Sequence, residues 1–325
     1  MLHRFVVLTA VLTLPLIYAG ATVTTLDAGL SVPDWPLSYG GLTPRMVGNI
    51  RYEHFHRLIA ALVGLFTLII AVGLQKTEPR RWVRVLGWVA LGAVLSQGTL
   101  GGLTVLNLQP PALSAIHGCL AQAFFALMAC LALFTSPNWI ENERLKAEGL
   151  VERPWAAVPR GWTIAAAAAV YVQVIFGAVV RHLRAALAIP DFPLSFGVAW
   201  PPADRLADPA VFAQFVHRLG AVAVLIVAGI AIARALRTGL PALRKPAIVL
   251  SALLPVQVLL GAATVWSGRE YVPATLHVAV GALVLVTSVT LAVAASRLAP
   301  SGPDGAGRGA AEAGGSSPRV REALV

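Results

Sequence analysis

The chain has 325 residues, of which 57% are hydrophobic and only 12% charged, with a mean hydropathy of +0.75. No soluble domain of this length has that balance, so the chain reads as a polytopic membrane protein. The net charge of +10 does not point to nucleic acid, because the Lys and Arg fall in short loops on one side of the apolar segments.

Eight apolar segments reach the length of about 20 residues that a bilayer requires. In chain order they are Phe5–Val23, Phe55–Leu74, Val83–Val105, Leu113–Thr135, Trp162–Val180, Phe212–Ala235, Ala247–Trp266 and Ala274–Ala295. The first begins like a secretory signal. Its end, Tyr18-Ala19-Gly20-Ala21-Thr22-Val23, returns in mid-chain as Ile175-Phe176-Gly177-Ala178-Val179-Val180, which makes it a repeat unit and not a cleaved leader. Cys119 and Cys130 share the fourth segment. They lie about 16 Å apart along a helix, beyond disulfide reach, and read as inert core residues.

Orientation follows from the loops. Arg4, Lys76, Arg80, Arg81, Arg144, Arg160, Arg234, Lys245 and Arg297 gather on one side, expected to be cytoplasmic together with both termini. The long loops 24–52 and 183–210 are expected outside, with Ser38 and Ser195 reachable there. Residues 136–161 read as a charged linker with a short helix from Trp139 to Leu150. The tail from 297 lacks periodicity and is expected to be disordered.

Internal symmetry is the strongest signal. Pro33-Asp34-Trp35-Pro36-Leu37-Ser38-Tyr39-Gly40 returns as Pro190-Asp191-Phe192-Pro193-Leu194-Ser195-Phe196-Gly197, 157 residues on. His56-Arg57 returns as His217-Arg218 after 161 residues, and Gln97 and His117 return as Gln257 and His277 after 160. Each half holds four spans, an even number, so both halves enter the membrane in the same sense, as parallel repeats. The expected fold is all-α: eight transmembrane helices as two four-helix bundles, residues 1–136 and 162–296, joined by a linker at 137–161 and followed by a tail at 297–325.

His56, His117, His217 and His277 open the second, fourth, sixth and eighth spans, all running outside to inside. They are expected near the outer face, two per bundle. Ionisable groups at such depth mark functional sites, and two imidazoles in one bundle suit axial ligation of haem iron, where zinc would want three or four ligands. Arg57 and Arg218 follow their histidines directly and suit haem propionates. Glu53 lies on the His56–Arg57 helix face, opposite Gln214 in the repeat, so only the first copy carries a carboxylate. The small-residue stretches Gly98, Gly101, Gly102 and Gly261, Ala262, Ala263 admit either a flat macrocycle or a neighbouring helix. His3, His54 and His182 are expected to be interfacial, without a ligand role.

Glu53-His54-Phe55-His56-Arg57, the Gly-Leu-Ser-Val-Pro-Asp-Trp-Pro-Leu stretch from Gly29, Gln97-Gly98-Thr99-Leu100-Gly101-Gly102 and the paired histidines together resemble the haem A synthase family, over about residues 5 to 295. The resemblance implies an oxidoreductase that converts the C8 methyl of haem O to the formyl of haem A for aa3-type terminal oxidases. It implies a haem b cofactor on His217 and His277, with Arg218 and Arg181 beside it. The substrate haem O falls to His56, His117 and Arg57, and Glu53 matches the functional glutamate. The partners implied are haem O, the haem O synthase (protohaem farnesyltransferase) that supplies it, an electron donor and the lipid bilayer, in the plasma membrane, with a homo-oligomer left open. Where many relatives carry a loop cysteine pair, this chain has Val32 and Ser38; where the first span often ends Val-Arg, it ends Val23-Thr24. The alternatives are a di-haem electron-transfer cytochrome without hydroxylase activity, whose haems should lie near both faces, and a transporter, whose spans should be broken at mid-membrane.

Overall fold

The computed structural model describes residues 1–147 and 158–298. Within them the chain is all-α, with only isolated bridges in its loops. The helices are α1 (Leu2–Thr25), α2 (Ile50–Thr77), α3 (Arg81–Leu106), α4 (Pro111–Phe134), α5 (Pro137–Ala147), α6 (Arg160–His182), α7 (Ala203–Leu206), α8 (Pro209–Arg237), α9 (Pro241–Trp266) and α10 (Tyr271–Leu298). All but α5 and α7 are long and apolar enough to cross a membrane. These eight coincide with the eight expected spans. The linker helix appears as α5 and ends at Ala147; the rest of its expected course, Glu148–Leu150, and the tail beyond Leu298 lie outside the described residues.

The helices outrun their apolar windows because polar turns continue them. α2 starts at Ile50, five residues before Phe55, and its first turn carries Glu53. α9 starts at Pro241, where a proline costs no hydrogen bond. α1 and α9 run through Pro15, Pro246 and Pro255 without a break, so no discontinuous helix of the transporter kind is present among the described residues.

In the first half α1 packs on α2, α2 on α3, α3 on α4 and α4 on α1. In the second, α6 packs on α8, α8 on α9, α9 on α10 and α10 on α6. Each set closes on an apolar core, one around Ile70, Leu74 and Leu131, the other around Leu243, Leu250 and Leu291. The halves meet through α1, α4, α6 and α10, where Ile17, Phe125 and Ala282 share a smaller cluster. α10 is accordingly the most buried span and α9 the least, at 50% against 17%.

The two long outer loops fold alike. Asp34 accepts from the amides of Tyr39 and Gly40 at 2.7 and 2.8 Å, and Asp191 from those of Phe196 and Gly197 at 2.7 Å each. These carboxylates close tight turns whose central residues all have positive φ, which glycine at 40 and 197 tolerates without strain. The amides of Gly40 and then Tyr39 hold the exposed Asp34 carboxyl below its usual range. For Asp191, burial opposes the shift and the amides of Gly197 and Phe196 outweigh it. A lowered folded value means that both locks act in full above the ordinary aspartate range and are lost only as pH falls through that lowered value. Inside each turn Ser38 and Ser195 are buried, 3% and 2% exposed. This corrects the expectation that they are reachable; Leu37 and Leu194 are the exposed positions, at 40% and 43%.

Candidate functional site

All four repeated histidines stand near the ends of their helices that face the long loops, His56 on α2, His117 on α4, His217 on α8 and His277 on α10. Each imidazole rests against a glycine of a neighbouring helix. A Cβ on Gly20 of α1 would come within 2.9 Å of His56 Cε1. On Gly101 of α3, Gly177 of α6 and Gly261 of α9 it would come within 3.1 Å of the Cε1 of His117, His217 and His277. Glycine is needed there because it leaves the ring its room. Gly102 makes the same allowance for the Trp35 ring, whereas Gly98 faces open space. The small-residue stretches therefore seat histidine and tryptophan rings.

His217 and His277 face each other with ring centroids 6.4 Å apart and planes at 77°. Metal–imidazole bonds of about 2.0 Å on opposite sides of one ion, with ~1.1 Å from each nitrogen to its ring centre, place two centroids roughly 6 Å apart. That separation leaves room for one metal ion between the two rings. No group of three or more His, Cys, Asp or Glu converges among the described residues, so the donor set fits a metal that brings its own equatorial ligands, as haem does.

The two pairs differ in how their rings are held. The Gln173 side-chain nitrogen lies 3.0 Å from His217 Nδ1 and donates to His217 O at 2.8 Å. His277 Nδ1 lies 3.1 Å from Gln257 O, and its Nε2 lies 3.4 Å from the Gln257 amide nitrogen. In the first half Gln97 donates to the His117 carbonyl at 2.9 Å; the rings of His56 and His117 lie near the main chain at Leu16 and Gln97, and no side chain among the described residues bonds their buried Nδ1 atoms. Position 16, which corresponds to Gln173, is leucine.

Arg57 and Arg218 bind equivalent carbonyls of their loops. Arg57 Nη1 donates to Asp34 O and Leu37 O, each at 2.7 Å, and Nη2 to Val32 O at 3.0 Å. Arg218 Nη1 donates to Leu194 O at 2.8 Å, and Nη2 to Asp191 O at 2.7 Å and Ile189 O at 3.2 Å. Glu53 accepts from the Val32 amide at 2.9 Å and from Arg57 Nη2 at 2.6 Å, while Gln214 accepts from the Ile189 amide at 2.5 Å. Carboxylate and amide thus do the same tethering, but only Glu53 pairs with the arginine; Gln214 instead donates to Ala186 O at 2.7 Å.

Arg181 reaches out of its own half, donating to Ala21 O at 2.5 Å and Thr25 Oγ1 at 2.8 Å on α1. His182 lies within electrostatic reach of His117, and His3 bonds Thr135 at 3.1 Å near the opposite end of the molecule. His54 departs from the interfacial expectation: it is 5% exposed and bonds Ser38 Oγ at 2.9 Å. Both cysteines are free. Gln173 and the glycine seats at 20 and 177 escaped sequence reasoning. The glycines were visible inside the Tyr18–Val23 repeat, but nothing tied them to a histidine 36 or 40 residues away.

An eight-helix membrane protein with a duplicated histidine motif is the class that this fold and site define. The family described as cytochrome oxidase assembly protein, COX15-CtaA, matches residues 48–289. The chain belongs to that family. Among its relatives is a heme A synthase of Symbiobacterium thermophilum, 34% identical over 217 residues, 66% of this chain and 68% of the relative. The heme A synthase of Halalkalibacterium halodurans is 27% identical over 305 residues, 91% of this chain and 99% of the relative. That of Rhizorhabdus wittichii is 28% identical over 326 aligned positions, covering 87% and 91%.

Proposed function

We propose that the chain is a haem A synthase, an oxidoreductase that takes the C8 methyl of haem O to the formyl of haem A, built as two parallel four-helix repeats over 1–136 and 162–296. The observation that carries this reading is the asymmetry of the two histidine pairs within one duplicated scaffold. A resident cofactor needs ligands fixed in place, and hydrogen-bonded partners orient a metal-binding imidazole. Gln173 and Gln257 lie against the rings of His217 and His277, and His277 Nδ1 has the Gln257 carbonyl as a partner; this supports assigning haem b, whose iron would supply a redox centre, to that pair. A substrate must enter and leave, and the rings of His56 and His117, which have no glutamine side chain against them among the described residues, suit haem O.

Arg57 and Arg218 hold the outer loops over the two sites, and they and Arg181 offer cationic charge to propionates. Glu53 is the one carboxylate tied to a histidine-bearing helix turn. It anchors the loop through Val32 and pairs with Arg57, and a carboxylate there would stabilise positive charge developing on a substrate held by His56. The Lys/Arg distribution supports an orientation with both termini in the cytoplasm and both haem sites near the outer face of the plasma membrane. Haem O synthase and an electron donor are the partners this activity needs.

The test is haem extraction from cells that make haem O but lack their own haem A synthase. Expression of this chain is expected to yield haem A on a reverse-phase column, and purified protein to carry haem b. Two haems b with no haem A from any substrate would replace this reading with an electron-transfer cytochrome.

A further inference from the structure

A cleft lies well away from the histidines. It opens at the opposite end, between α4, α6 and α10 and beside α5, with a volume of about 930 Å³, near the top of the range of about 300–1,000 Å³ typical of ligand pockets. Ala168 of α6 and Ala292 of α10 form part of its wall, and Trp139, Glu143, Arg160 and Arg297 surround its polar end. Ala168 is exposed, so the cleft opens sideways along α6. This accounts for α6 being only 22% buried although it touches α4, α8 and α10.

The polar end is rich in donors. Arg297 lies with its guanidinium 3.9 Å from the Trp139 ring centre and donates to Trp139 O at 2.9 Å. The Trp139 side chain is itself buried, the residue 8% exposed, and its indole N–H has no acceptor among the described residues. A buried donor without an acceptor is costly and calls for a partner. Arg160 is exposed and has no ion pair or hydrogen-bond partner for its guanidinium among the described residues. Arg80 bonds the carbonyl of Phe134, which also lines the cleft, and has a buried Nη1 without a partner. Against these three cations stand two carboxylates, Glu78, paired with Arg80 at 2.7 Å, and Glu143, 3.9 Å from Arg297 Nε. Positive charge therefore prevails, above a groove of small apolar side chains.

We propose that this cleft binds one anionic phospholipid of the adjacent leaflet. Its phosphate accepts from the Trp139 N–H and the Arg160 and Arg297 guanidinium groups, and an acyl chain lies along Ala168 and Ala292. Basic pockets between spans at the positively charged face recognise lipid headgroups in this way, and tryptophan sits at the headgroup level. The inference rests on the reading of α4, α6 and α10 as membrane spans.

Native mass spectrometry of the full chain, exchanged from detergent into nanodiscs of phosphatidylcholine with and without phosphatidylglycerol, tests it. One phosphatidylglycerol is expected to remain bound in preference to phosphatidylcholine. Arg160→Gln and Arg297→Gln should each weaken it about fivefold, the effect of one cation near a headgroup. Trp139→Phe should weaken it while keeping the ring, and Ala168→Leu should block the chain while leaving the polar end intact. Haem content by absorbance reports folding in each variant. If Arg297→Gln does not fold, Arg160→Gln and Ala168→Leu decide. Equal retention of both lipids, unchanged retention in Arg160→Gln and Ala168→Leu, or recovery of a quinone in place of a phospholipid overturns the site. Detergent-extractable protein without lipid selectivity would overturn it and leave the membrane reading standing.

Discussion

The N-terminal and C-terminal histidine pairs share a scaffold and differ in their polar surroundings. Both pairs have glycine seats, both are followed by an arginine clamped on three loop carbonyls, and both loops are locked by an aspartate. Only the second pair has glutamine side chains on its rings, through Gln173 and Gln257. Only the first has a carboxylate–guanidinium pair, Glu53–Arg57 at 2.6 Å. Duplication has conserved what positions the backbone. Divergence is confined to the groups that decide how firmly an imidazole is held and what charge stands beside it. On the proposed reading, those are the groups that separate a resident cofactor from a substrate.

Removing a ligand breaks the comparison most completely. His217→Ala or His277→Ala is expected to abolish haem b binding, since no third His, Cys, Asp or Glu converges on that site among the described residues. His56→Ala is expected to keep haem b and abolish haem A formation. Reduced-minus-oxidised spectra and pyridine haemochrome of the purified variants measure both. Low-spin haem at wild-type stoichiometry in both second-half variants would reverse the assignment of the two halves.

Exchanging the polar signatures comes next. Glu53→Gln is expected to fold, because Gln214 shows that an amide accepts from the loop N–H in the same setting. Haem b should remain, while haem A yield falls about 100-fold and haem O accumulates, the usual cost of losing a placed base or electrostatic stabiliser. Gln214→Glu serves as the control and should change the yield little. Normal haem A from Glu53→Gln would reduce Glu53 to a loop anchor.

Much of this comparison was legible in the sequence. The eight spans follow from apolar length alone, and the motif offsets reveal the duplication. His56, His117, His217 and His277 stand out because four ionisable residues at matched depth are costly in lipid. The groups that fix those histidines were not legible. Gly20 seats His56 from another helix, and Arg57 spends its guanidinium on carbonyls 20 to 25 residues upstream. Such pairings are tertiary, and periodicity within one helix carries no trace of them. Ser38 shows the same limit: a loop position reads as exposed until the tight turn folds over it and His54 bonds it.

A smaller effect is expected from the groups around the rings. Gln173→Leu gives the second half the residue that the first has at position 16, and Leu16→Gln does the converse. Loss of an orienting partner costs about 10–100-fold in metal affinity. Gln173→Leu should therefore release haem b to apomyoglobin about 10–100 times faster, with the protein still folded. An unchanged transfer rate would mean that ring orientation comes from packing alone and that hydrogen bonding does not explain why one haem is resident.

The smallest effect tests the glycine seats. In a helix interior, glycine is less favourable than alanine by roughly 0.5–1 kcal/mol, so replacement at an open position should stabilise. Gly64 of α2 and Gly229 of α8 have nothing within 4 Å of a built Cβ, and Gly64→Ala and Gly229→Ala are the reference. At Gly177 the new methyl would sit 3.1 Å from His217, which a small ring shift accommodates; at Gly20 it would sit 2.9 Å from His56, which forces a larger one. Overpacking of this kind typically costs about 1–3 kcal/mol, enough to outweigh the helical gain. Gly20→Ala is expected to keep haem b and lower haem A yield about tenfold, and Gly177→Ala to weaken haem b retention severalfold with less effect on yield. Thermal unfolding of all four variants separates ring displacement from general destabilisation. If Gly20→Ala were as stable as Gly64→Ala and made haem A at the wild-type level, the ring of His56 would be free to move away from its seat. The glycine repeat would then reflect helix packing and not the placement of a ligand.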